Sequence, residues 1–312
     1  MPQEIAPTST AADYARLSLS PATLRAYRAD WTDFTAWCQG RGVSPLPAAP
    51  NTVADYLASL ALTHGRSALK RRLSAIGQAH RLKEAAWIPS HPLIRHALRG
   101  ILRQHGRPTR KAAALATADI HKLVATCDPG LTGQRDRAMI LLGFAGALRR
   151  SELVGIKREH LTFTTDGLRL HLPRSKSDQT GEGAEIGIPR GTNKDTCPVR
   201  AMERWLETSQ CQYGPVFRKI DMWGSLNLEA LRPNAVRVML RQRAQKAGIQ
   251  AGPLEAMSAH GLRAGFIHSA YVAGVPDEAI MAHSRHKDHA TMRGYVRRAR
   301  LLTESPVKKL GL

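Results

Sequence analysis

Cysteine is scarce in this 312-residue chain, and the four present, Cys38, Cys127, Cys197 and Cys211, are too scattered to form a Cys-x-x-Cys pair. That spacing argues against a zinc or dithiol redox site and leaves reduced core thiols as the expectation. No apolar run reaches the roughly 18 residues that a membrane helix requires, so no membrane partner is expected. An internal repeat is missing too, which removes the solenoid architectures. The first fifteen residues lack the basic-then-apolar layout of a secretory signal, and the expected location is the cytoplasm.

Acidic residues are in short supply. Asp and Glu number 25 against 46 Lys and Arg, a net charge of +21. Such an imbalance points to a polyanionic partner, most often nucleic acid, which would place the protein at the nucleoid. The excess is spread along the chain, with 14 basic and 6 acidic residues up to Arg107 and 32 and 19 beyond it. Both halves are therefore expected to grip a phosphate backbone, as an enclosing clamp does and a single basic tail does not. A generally basic ribosomal or chromatin protein is the alternative at this level.

The length favours two domains, and the 43% hydrophobic content is ordinary for a globular protein. Residues 1–18 read as a loose arm rich in Ser, Thr, Ala and Pro. Ser20 and Pro21 then open an amphipathic helix with Leu24, Tyr27, Trp31, Phe34 and Trp37 on one face. Asn51 is expected to cap a second helix, with a third over about 67–82 and a fourth over about 91–104, making a helical bundle over 19–105. The basic, proline-broken stretch 106–114 reads as a linker. Beyond it, Thr117 is expected to cap a helix, and another spans 135–144. Two alternating segments, 168–172 and 185–188, predict a small hairpin, and helices return at about 198–209, 233–247, 260–273, 276–283 and 288–296. The fold class is thus mainly α with a small β-sheet, an α+β second domain over 115–300, and an apolar tail over 301–312.

Two basic clusters are candidates for contact with the polyanion. The third helix carries Arg66, Lys70, Arg71 and Arg72, expected on phosphates or in a groove. The helix beginning at Pro233 carries Arg237, Arg241 and Arg243, suited to guanine edges or to phosphates.

The second half also holds an ordered series: Arg149-Arg150-Ser151-Glu152, then Arg174 to Asp178 with Lys176 in the hairpin, His260-Gly261-Leu262-Arg263, His286, and Tyr295 nine residues later. This series resembles the tyrosine recombinase (phage integrase) family, whose catalytic domain carries Arg-x-x-Glu, a hairpin Lys, His-x-x-Arg, His or Trp, and Tyr in that order. Ala279 to Ala282, leading into the His286–Tyr295 segment, is most similar to the Cre-like branch. The Arg-x-x-Glu register selects Arg149 over Arg150, and the spacing to tyrosine selects His286 over His283. Spaced by three, His283, His286 and His289 do not supply a carboxylate or thiolate partner, and no metal is expected there. One departure stands out: the family often has Gly before its second histidine, whereas Arg285 precedes His286 here.

The resemblance implies that 19–105 is a core-binding domain and that the chain is a site-specific DNA recombinase working through a 3′-phosphotyrosine and a Holliday junction. Tyr295 would be the nucleophile, Arg149 and Arg263 the clamp on the scissile phosphate, Lys176 the acid for the departing 5′ oxygen, and His260 and His286 supporting groups, with Glu152 orienting a clamp residue. Those roles suit the residue types. Arginine's planar fork matches phosphate oxygens bidentately and stays charged, while a phenol of ordinary pKa near 10 needs nearby positive charge and a proton acceptor. Neither ATP nor a metal cofactor is implied. The implied partners are double-stranded DNA with inverted-repeat sites, three further protomers in a tetramer, and accessory proteins, with the tail docking on a neighbour. A type IB topoisomerase, a telomere resolvase and a catalytically silent DNA-binding regulator are the rival readings.

Overall fold

The computed structural model describes residues 18–108, 110–173 and 182–303, together with Ser305, Val307 and Leu310. Outside them lie most of the expected arm, the hairpin stretch with Arg174 and Lys176, the side chains of Leu301 and Leu302, and Leu312. The chain divides into two compact units, Met1–Thr109 and Arg110–Leu312.

The first unit is all helical, with α1 (Pro21–Gln39), α2 (Pro50–Ser59), α3 (Arg66–Leu82) and α4 (Pro92–His105). Its first cap is the expected one: Ser20 Oγ accepts from the Thr23 N–H at 3.2 Å, with Pro21 in the first turn. Helix α2 starts earlier than its expected Asn51 cap. Ala49 occupies the cap position and Pro50 leads, because the fixed φ of proline suits a first helical residue. α1 packs on α3, and α2 on α4, around Phe34, Val53, Tyr56, Leu57, Leu69, Ile76 and Ile94. Two of the basic residues expected on DNA are turned to a different task. Arg71 grips Asp30 through Nε and Nη2 at 2.7 and 2.9 Å. Arg72 is buried and bonds Asp33 and the Tyr56 hydroxyl. A charged group leaves water only when it is paired, and the acidic residues of α1 supply the pairs.

The second unit wraps helices around α6 (Leu131–Ala145), whose run Ala138 to Leu142 is buried on every side. Before it comes α5 (Thr117–Ala125), in which Thr117 is the first helical residue and not the cap. Ala116 is the cap residue, and Asp119 in the first turn accepts its N–H at 3.0 Å. A short α7 (Arg150–Val154) follows α6. The hairpin is part of a three-stranded antiparallel sheet, β2 (Leu161–Phe163), β3 (Gly167–Leu172) and β4 (Ala184–Pro189), with Leu170 opposite Ile186. Alternation sends Leu168, Leu170, Leu172, Ile186 and Ile188 inward. After α8 (Pro198–Ser209), which packs on α6, a second hairpin forms from β5 (Arg218–Ile220) and β6 (Leu226–Ala230).

In α9 (Pro233–Lys246), Arg237 and Arg241 are exposed but Arg243 is not. Arg243 is 5% exposed, bonding Asp136 Oδ2 at 2.8 and 3.0 Å and the Thr126 carbonyl at 2.6 Å. It joins α9 to α6 and is removed from the candidate DNA contacts.

The supposed linker is shorter than 106–114. Strand β1 (Lys111–Ala112) pairs in parallel with β7 (Glu255–Ala256), and Leu115 is buried in the second unit. Three helices close the chain: α10 (His260–Val272), α11 (Asp277–Ser284) and α12 (His289–Thr303). The last runs beyond its expected end at 296, and Val307 and Leu310 past it are exposed.

Glycine is required where α10 meets the incoming segment. A Cβ on Gly261 would stand 2.4 Å from the Ala113 carbonyl oxygen, and one on Gly265 1.7 Å from that of Leu115. The helix can lie against the backbone there only because these positions have no side chain, which holds the Leu115 N–H to Gly261 O bond at 3.1 Å. Gly265→Ala is expected to destabilise the fold by about 2–3 kcal/mol through overpacking, read as a lowered urea midpoint with unchanged slope.

Candidate active site

Five elements of the second unit converge on one cationic pocket. The turn between α6 and α7 brings Arg149, α7 brings Glu152, α10 brings His260 and Arg263, the loop after α11 brings Arg285 and His286, and α12 brings Tyr295. Arg149 is the N-cap residue of α7, and its neighbour Arg150 is exposed. Glu152 accepts the Arg149 backbone N–H at 2.8 Å and its Nη1 at 2.6 Å. Burial alone would raise the Glu152 carboxyl, but these two bonds and the charge of Arg285 hold it below the usual carboxylate range.

Arg263 is 1% exposed and sits against the carbonyl end of α6, donating from Nη1 to the Ala147 carbonyl at 2.8 Å. Its Nη2 lies 3.3 Å from each ring nitrogen of His286. Burial, then the charges of Arg149 and Arg285, push the Arg263 guanidinium down to about 10, so it remains charged at neutral pH. His286 is pushed down to about 4 by burial and then by Arg263 and Arg149, and is neutral at that pH. The Ser284 hydroxyl contacts its Nδ1 at 2.7 Å.

Tyr295 reaches the same pocket because Met292 and Val296, on the adjoining face of α12, are buried with Ile267 and Ile280. Its hydroxyl lies 2.5 Å from His260 Nε2, and its ring centroid is 5.8 Å from that of His286. The phenol therefore touches a candidate proton acceptor while electrostatically coupled to Arg263. His283, the rejected alternative, turns away: it donates to the Ala145 carbonyl at 2.7 Å and stacks on Phe266. Among the described residues no group of three His, Cys, Asp or Glu is arranged to hold a metal. The arrangement suits binding a phosphodiester anion and attack on it by a phenol.

Arg149, Glu152, His260, Arg263, His286 and Tyr295 thus come together, while Lys176 lies outside the described residues. Sequence reasoning missed the site role of Arg285, whose side chain reaches Glu152 Oε2 at 3.1 Å. In the first unit it also missed a basic groove. Arg66 and Lys70 of α3 line a cleft with Arg95, Arg99 and Arg103 of α4. The i, i+4, i+8 spacing of those three arginines was the available signal.

The chain is similar to known proteins in both sequence and fold. The sequence profile described as the Phage integrase family matches residues 113–300. An integrase/recombinase xerD homolog of Selenomonas ruminantium is 35% identical over 303 residues, 95% of this chain and 87% of that protein. Tyrosine recombinase XerD of Pseudomonas aeruginosa is 33% identical over 151 residues, 46% of this chain and 48% of that protein. Among solved structures, the Tn1549 transposon integrase in complex with transposon right end DNA superposes with a TM-score of 0.63 at 13% identity, covering 90% of this chain and 91% of that one. A lambda integrase dimer bound to a COC′ core site gives 0.59 at 16% identity, covering 90% and 73%. At such identities the structural likeness bears on the fold.

The depressed His286 has a consequence for stability. An unfolded chain protonates this imidazole near pH 6.5, the folded one only near 4, so between those values the unfolded state holds more protons and acidification destabilises the fold. Thermal midpoints followed from pH 7 to pH 4 are expected to fall more steeply for the native protein than for His286→Trp. Parallel curves contradict the assigned environment.

Proposed function

Because the chain belongs to the phage integrase family of tyrosine recombinases, we propose that it breaks and rejoins DNA strands as a site-specific recombinase with Tyr295 as the nucleophile. The observation that carries this reading is the Tyr295 hydroxyl 2.5 Å from His260 Nε2, beside the Arg263–His286 pair. With DNA bound, Arg149 and Arg263 take the non-bridging oxygens of the scissile phosphate, where charge accumulates during phosphoryl transfer. His260 accepts the phenolic proton as the Tyr295 oxygen attacks phosphorus. Neutral His286 offers an N–H to a phosphate oxygen.

The bond to the 5′ oxygen breaks, and Lys176 gives that oxygen a proton as it leaves. The products are a 3′-phosphotyrosine and a free 5′ hydroxyl. Attack by a partner strand's 5′ hydroxyl on the phosphotyrosine reverses these proton transfers and releases Tyr295. One phosphodiester is exchanged for another of similar energy, so no nucleotide is consumed. Four protomers on two DNA sites, each site an inverted repeat, exchange strands in this way through a Holliday junction.

DNA grip comes from both units. Arg66, Lys70, Arg95, Arg99 and Arg103 line a cleft of the first, and Arg237 and Arg241 are exposed on the second. A cleft with five cations and no acidic lining residue suits a phosphate backbone.

Incubation with DNA from the ends of the element carrying the gene is expected to give a detergent-resistant protein–DNA adduct. Tyr295→Phe is expected to abolish that adduct and leave binding intact; an adduct that survives the substitution contradicts the assignment. A supercoiled plasmid without such a site is expected to stay supercoiled, and its relaxation would instead mark a topoisomerase. Replacing Lys70 and Arg99 with Ala is expected to flatten the dependence of log affinity on log salt by about 0.9 for each phosphate no longer neutralised.

A further inference from the structure

Arg285 occupies a backbone conformation that ordinarily selects glycine. It ends α11 at φ 56° and ψ 44°, in the left-handed region, where a Cβ is disfavoured. Glycine there would be unstrained, so the arginine needs a compensating role. Its side chain supplies one: four donor contacts radiate from the partly buried guanidinium. Nη1 bonds the Gly146 carbonyl at 3.1 Å and the His283 carbonyl at 2.8 Å, while Nη2 bonds the Ala147 carbonyl at 3.0 Å and Glu152 Oε2 at 3.1 Å. With both Nη groups turned inward and Nε buried without a partner among the described residues, Arg285 does not face a substrate.

Two of those acceptors are shared with the groups assigned to the phosphate clamp. The Ala147 carbonyl also receives Arg263 Nη1, and the Glu152 carboxylate also receives the Arg149 guanidinium on Oε1. Glu152 is therefore divided between two arginines. We propose that Arg285 is a positioning residue which, by holding Glu152 Oε2, keeps that carboxylate from closing bidentately on Arg149 and so leaves the Arg149 fork open toward phosphate. The inference rests on the recombinase reading given above. Without Arg285, Glu152 Oε2 keeps only the Arg149 backbone N–H at 2.8 Å, and its second lone pair is free for the Arg149 guanidinium. The Arg149 fork then turns into a closed ion pair, because a two-pronged carboxylate contact is the favoured geometry.

A second-site suppressor separates this positioning role from a purely structural one. The test uses the full-length protein and a duplex selected from a random-sequence pool by the Tyr295→Phe protein, nicked so that the cleaved segment escapes. Binding, thermal midpoint and the single-turnover rate of adduct formation are measured together. Arg285→Gly suits the left-handed backbone, and is expected to bind the duplex like the native protein yet form adduct at least tenfold more slowly. Adding Glu152→Gln to Arg285→Gly is expected to recover several-fold of that loss, since a neutral amide releases Arg149.

Adduct formation by Arg285→Gly within twofold of native overturns the proposal. A slow Arg285→Gly protein with a lowered midpoint, unrelieved by Glu152→Gln, overturns it as well, because the role is then only structural. No adduct from the native protein overturns the recombinase reading and this proposal with it.

Discussion

Two guanidinium groups and an imidazole converge on the carbonyls at the C-terminal end of α6, and the geometry of the pocket depends on that convergence. His283 takes the carbonyl of Ala145, Arg285 those of Gly146 and Ala147, and Arg263 that of Ala147 again. A helix end leaves its last carbonyls without intrahelical partners and carries partial negative charge, so it favours cations donating to it. Ala147, buried with φ at 45°, shapes the turn that presents its carbonyl to two arginines at once. The buried apolar run of α6 anchors this acceptor platform in the core.

That platform lets the pocket hold more positive charge than its own carboxylate neutralises. Arg149 and Arg285 share Glu152, while Arg263 has a carbonyl and the edge of a neutral imidazole in place of a carboxylate. Such an imbalance costs free energy in the resting protein, and a bound phosphodiester offsets it. In the proposed reaction the same donors stand where charge develops during transfer, which avoids reorganisation at the moment of reaction.

Much of this was legible in the sequence. Amphipathic periodicity located the helices to within a few residues at most ends, and the ordered series from Arg149 to Tyr295, apart from its hairpin stretch with Lys176, marked residues that the fold gathers into one pocket. Charge was the weaker guide, since a cation on a helix does not announce its partner. Arg71 is spent on Asp30, 41 residues away, and Arg243 on Asp136, 107 residues away. The oddity of Arg285 before His286 was visible, but not that it spans 133 residues to reach Glu152. The β5–β6 hairpin was missed because its short strands alternate weakly, with most of β6 exposed.

The fold, and not the DNA, sets the arginines in place. Proton–nitrogen NMR of the guanidinium groups in the DNA-free protein, assigned through Arg263→Lys and Arg285→Lys, addresses it directly. Separate, slowly exchanging Nη–H signals are expected for Arg263 and Arg285, with rapid averaging for exposed Arg237. Averaged signals from all three that separate only when DNA is added would contradict a pocket built in advance.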